Sequence, residues 1–201
     1  MFTQPDTWNG GHYALDFRLP NNQENTIQES LNAIWNHPAL EGCFLRSDLE
    51  PIEQPKELPL VKNTQGHLYG IADLPNGKRV ACGCFLSDYG RDGCWFSLYL
   101  PLGTLDNAYP MGNYPFIDEQ EESPESWMKE INPWLKGIAE TVYQKVKFRI
   151  GVVGFEVDYF DLEKRFEEGI PAERWEGILI PKDEQLVWYP PTIYKPQYGF
   201  Q

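Results

Sequence analysis

The chain has 201 residues and a mass of 23.3 kDa, enough for one large domain or two small ones. Hydrophobic residues at 41% and charged residues at 23% rule against a chain disordered by composition. Asp and Glu outnumber Lys and Arg by 30 to 17, a formal net charge of −13. This rules against binding nucleic-acid phosphate, and against docking on anionic membrane through basic residues.

The chain opens MFTQPDTWNGGHY, which lacks the basic and apolar regions of a secretory signal. His12 to Leu19 alternates as a strand, and Pro20, Asn21 and Asn22 end it. Thr26-Ile27-Gln28-Glu29 reads as a capping box, followed by Ile27, Leu31, Ile34 and Trp35 on one helical face. His37-Pro38 stops that helix, and Gly42 to Arg46 predicts a short strand. Residues 48–59, with prolines and acids, predict an exposed connection. His67–Ala72, Lys78–Leu86 and Cys94–Leu100 predict a meander of three antiparallel strands, its first turn made by Leu74-Pro75-Asn76-Gly77.

Residues 101–128 hold Asp106, Asp118, Glu119, Glu121, Glu122 and Glu125, no Lys or Arg, and four scattered prolines. They predict a long acidic loop. Asn132-Pro133 predicts the start of a helix reaching about Lys147, with Asn132 as N-cap and an apolar stripe from Trp134 to Val146. Phe148–Val157 predicts a buried strand whose two glycines imply a bulge or close backbone approach. A short helix from Asp161 to Glu168 follows, then a hairpin from Trp175–Ile180 and Gln185–Tyr189. An extended proline- and aromatic-rich tail at 190–201 completes the chain. The expected fold is one α+β domain over 1–201, a mixed, mostly antiparallel sheet of about 7–8 strands with two principal helices.

No stretch approaches the roughly 18 apolar residues of a membrane span, so a cytoplasmic protein is expected. Cys43, Cys82, Cys84 and Cys94 are expected to be reduced, with no metal bound. Cys82 and Cys84 share one strand face, and thiolate zinc ligands usually sit on turns at C-x₂₋₄-C spacing. No phosphate-binding glycine loop, nucleophile elbow or zinc-protease motif occurs, and no cofactor or catalytic residue is expected. His12 and His67 open strands and His37 ends a helix, positions that suit surface or capping roles. Asp88 and Asp92 suit a turn. Glu156 and Asp158 are two apart at a strand end and so point the same way.

Asp118, Glu119, Glu121 and Glu122 form the sharpest local feature. With Phe116 and Trp127 as apolar anchors they predict a docking surface for a basic partner. The order β, α, three antiparallel strands, α, β, α, β, β loosely resembles that of the GNAT acyltransferases, which implies, as the alternative, a degenerate GNAT-like acyltransferase or another small-molecule enzyme. That family's pyrophosphate loop, Arg/Gln-x-x-Gly-x-Gly/Ala, is replaced here by Pro101-Leu102-Gly103 and the acidic stretch. The composition is similar to that of bacterial immunity proteins against cationic nucleases. A non-enzymatic acidic protein that docks a basic partner, of immunity or inhibitor type, is the function expected from sequence.

Overall fold

A computed structural model describes residues 1–58, 66–88, 93–111, 114, 125–158, 162, 166 and 169–194. The strands are β1 (His12–Arg18), β2 (Leu40–Phe44), β3 (Leu68–Asp73), β4 (Arg79–Asp88), β5 (Cys94–Pro101), β6 (Ile150–Phe155), β7 (Gly177–Lys182) and β8 (Gln185–Tyr189). The helices are α1 (Glu24–Trp35), a short α2 (Leu102–Asp106) and α3 (Glu125–Lys145). The strands make one antiparallel sheet in the order β2-β3-β4-β5-β1-β6-β7-β8. The class is α+β, as expected.

The meander follows its sequence pattern. Leu74 and Gly77 close the β3–β4 turn with a 2.9 Å backbone bond, and Gly77 takes φ 80, which an L side chain resists. The first strand of the chain then inserts between β5 and β6. Tyr13, Leu15 and Phe17 lie opposite Leu100, Leu98 and Phe96 on one side. On the other side Tyr13 and Leu15 lie opposite Phe155 and Val153. Because side chains alternate along a strand, these odd positions of β1 share the face that α1 and α3 cover.

The apolar stripes of the helices, Ile27, Leu31 and Ile34 on α1 and Ile131, Leu135, Ile138 and Val142 on α3, merge with that face into the main core. Each such side chain contributes about 1.5–3 kcal/mol on burial, so this layer dominates the stability of the fold. Two smaller clusters cover parts of the opposite face. Phe2 packs with Phe44, Ile71 and Ala81 over β2–β4. Trp95, Ile150, Val152, Val157, Leu162 and Ile178 pack at the other side of the sheet.

Several local expectations are corrected. The capping box at Thr26 does not form: α1 starts two residues earlier, and its N-cap Gln23 makes no side-chain cap bond. Asn21 Oδ1 instead accepts from the Gln23 N–H at 3.0 Å and the Thr26 hydroxyl at 2.7 Å, which turns the chain sooner. The second long helix begins at Glu125 and runs through Pro133. Asn132 is buried rather than capping, and its Oδ1 accepts a 2.6 Å bond from the Tyr13 hydroxyl. The long loop expected over 101–128 is also interrupted. Pro101 ends β5, α2 follows at once, and Trp127 and Met128 already belong to α3. Leu102, Leu105, Ala108, Tyr109, Met111 and Tyr114 are buried, since the apolar residues of this stretch fill the main core. Of the expected short helix at 161–168 only Leu162 and Phe166 are described, and most of the tail lies outside the described residues.

Candidate functional site

The face of the sheet away from the long helices carries the even positions of β1 and the odd positions of β5. Tyr99 therefore points opposite to Leu98 and Leu100, and His12 opposite to Tyr13. Registers β4–β5 and β3–β4 set Gly83 between Tyr99 and Tyr69. The Tyr99 ring lies directly against Gly83, where any side chain would collide with it, so the glycine makes room for the ring. Beside it a pocket of about 270 Å³ opens, lined by Trp8, Gly11, His12, Ser47, His67, Tyr69, Tyr99 and Pro101.

The pocket is walled by rings. Trp8 meets Tyr69 edge-on at 5.0 Å between centroids, and Trp8 is itself held by its indole N–H donating to the Phe2 carbonyl at 2.9 Å. His12 lies 5.2 Å from Tyr99, and His67 lies 5.4 Å from Tyr99 and 4.9 Å from Phe85. His67 Nδ1 and Tyr99 Oη are hydrogen-bonded at 2.8 Å. Burial holds the imidazoles of His12 and His67 below their ordinary value. For His12, Glu156 opposes that shift and His67 adds to it. Burial pushes the Tyr99 phenol up, with Tyr69 contributing. At neutral pH the rings are therefore uncharged and the phenol keeps its proton, which it can donate to Nδ1. Among the described residues no Lys or Arg lines the pocket.

Sequence reasoning missed this site. It placed His12 and His67 at separate strand starts. Alternation along β1 and β5 indicates which side chains share a face, but only the insertion of β1 beside β5 brings residues 12, 67 and 99 together.

The sequence-predicted docking residues fall elsewhere. Phe116, Asp118, Glu119, Glu121 and Glu122 lie outside the described residues. Trp127 is 1% exposed and packs edge-on against Tyr13 and Tyr114 in the main core, which removes it as a surface anchor. Glu156 and Asp158 are both exposed, yet the spacing argument does not hold for them, because Glu156 turns to φ 40 and breaks the strand alternation. Asp92 is outside the described residues.

Cys43, Cys82, Cys84 and Cys94 are buried and form no disulfide. Burial pushes the Cys43 thiol up to about 12 and raises Cys82 and Cys84 further, which removes the thiolate a nucleophile needs. Among the described residues no group of three or more His, Cys, Asp or Glu could hold a metal ion. No described helix is long and apolar enough to cross a membrane. Where an acyltransferase would hold pyrophosphate, the chain enters α2, and the backbone of Gly103 presses so closely on the Asp6 carbonyl that no side chain fits. Compared with known proteins, the chain matches no family model, no curated protein and no solved structure.

Proposed function

We propose that this chain is a non-enzymatic binding protein that docks a basic partner protein. The observation that carries the reading is the net charge of −13. It gains support from the arrangement of the cations. Arg46, Arg79, Lys56, Lys136 and Lys147 each sit against a carboxylate of this same chain: Asp48, Glu41 with Asp73, Glu41, Glu140 and Glu184 in turn. Such exposed pairs contribute little to stability, but they cancel positive charge locally and leave the field outside the molecule negative.

A negative field steers a cationic partner and accelerates encounter, while packing at the contact sets the dissociation rate. The test is affinity capture from the native host, followed by association kinetics with the dominant basic prey. The on-rate should fall at least about tenfold between 20 mM and 500 mM salt, because the screening length shrinks to a few ångströms. Replacing Asp118, Glu119, Glu121 and Glu122 together by Asn or Gln should reproduce that loss at low salt. An on-rate indifferent to salt would overturn the reading. A salt slope that survives the quadruple replacement would move the contact surface away from residues 118–122.

A further inference from the structure

The pocket walled by Trp8, Tyr69 and Tyr99 has three properties that together narrow what can enter it. Its walls are π-faces and edges, its two imidazoles are uncharged at neutral pH, and no Lys or Arg lines it among the described residues. Its about 270 Å³ is below the usual range for a drug-sized ligand but suits the end of one side chain. The Glu156 carboxylate lies beside Gly11, a lining residue, close enough to occupy the space of a side chain there, and it acts electrostatically on His12. An anion would face the Glu156 carboxylate with no described Lys or Arg in the lining to offset it. A neutral group would find no charge partner. A cation would find aromatic rings, the Tyr99 and Ser47 oxygens and a carboxylate beside the lining residue Gly11.

We propose that this pocket receives the cationic head of one arginine or lysine side chain from the docked basic partner. The inference rests on the docking reading above and names a contact within it. Cation–π attraction is strongest where the ring is partly desolvated, and Tyr99 is only 6% exposed. Protonation of His12 or His67 would place a like charge against the guest. Entry of the cation and protonation of the imidazoles therefore oppose each other, with Glu156 moderating the effect at His12.

The experiment uses the full chain with butylguanidinium as probe and butylurea as its uncharged isostere, followed by NMR of the Trp8 indole and the imidazoles of His12 and His67. Butylguanidinium should shift these signals saturably and bind at least about tenfold tighter than butylurea, roughly 1.4 kcal/mol. At saturation both histidines should titrate at lower pH than in the free chain. Tyr69→Phe keeps the ring and should keep the preference for the cation. Tyr69→Leu removes one of the three rings and should weaken the preference several-fold, with the main-core methyl spectrum confirming that the variant is folded.

Equal binding of the two probes, no saturable shift, or loss of the preference in Tyr69→Phe would each overturn the proposal. The two readings fail separately. If butylguanidinium does not bind but a basic partner associates with a salt-dependent on-rate, the pocket inference falls and docking stands. If the pocket prefers butylguanidinium but no salt-steered partner exists, docking falls and the pocket remains a cation site.

Discussion

Tyr13 shows how one residue serves both the core and polar satisfaction. Its ring packs edge-on against Trp127, and its hydroxyl donates to Asn132 Oδ1 at 2.6 Å with both residues buried. The pair joins β1 to α3 across 119 residues of sequence. Tyr13→Phe would leave the Asn132 side chain buried without that donor, at a cost of about 1–3 kcal/mol. Replacing both, as Tyr13→Phe with Asn132→Leu, should recover part of the loss, because neither group is then orphaned. Urea denaturation of the two variants measures this, and a double variant no more stable than the single one would contradict it. At the same scale, Asn132 is a residue whose sequence context misled. Asn-Pro is a helix-start signature, yet here the asparagine faces the core.

The informative element is α3. It runs from Glu125 to Lys145 with Pro133 in its interior, exposed on the outer side. Proline supplies no backbone N–H to the carbonyl four residues earlier and crowds the preceding turn, which costs about 3 kcal/mol in an ordinary helix interior. The helix continues because Trp127, Met128 and Ile131 before the proline and Leu135, Ile138 and Val142 after it are all buried in one core. Tertiary burial outweighs the local penalty. Pro133→Ala should therefore stabilise the protein, by about 1–3 kcal/mol and a higher midpoint of thermal unfolding. A lower midpoint would show that the helix requires the local geometry proline imposes. The meander needs no such compensation, since alternation, turn residues and register agree along β3, β4 and β5.

For the molecule as a whole, acid stability should fall in two separate windows. His12, His37 and His67 are all lowered by burial from 6.5, so the unfolded chain takes up protons before the folded one. Their contribution is complete above about pH 6.5 and is lost as pH falls below it. Glu50 behaves as a carboxylate held down. The Met1 ammonium first, then the Thr3 hydroxyl and backbone, bring it from 4.5 to about 2. Its contribution is present above about pH 4.5 and is lost as pH falls toward 2. Unfolding by urea from pH 8 to pH 3 should show stability declining first between 7 and 5, then again below 4.5. Glu50→Gln should be less stable than the parent at pH 7, with the gap narrowing below pH 4. A parent protein equally stable at pH 8 and pH 5 would exclude the histidine contribution.

The sequence alone determined the features that depend on neighbours in the chain. The α1 stripe, the β3–β4–β5 meander with its Asn76-Gly77 turn, the final hairpin and the α+β class all rest on periodicity and turn chemistry acting over a few residues. The charge surplus that carries the docking reading is likewise a property of composition. Tertiary structure decided the rest. It inserted β1 between β5 and β6, and the main core drew in Trp127, Tyr109 and Tyr114. It carried α3 through Pro133 and assembled His12, His67, Tyr69 and Tyr99 into one pocket. The reason is that burying apolar area is non-directional and acts between residues far apart in sequence. Local signals specify which side of a strand a residue occupies, and strand order specifies which other residues it meets there.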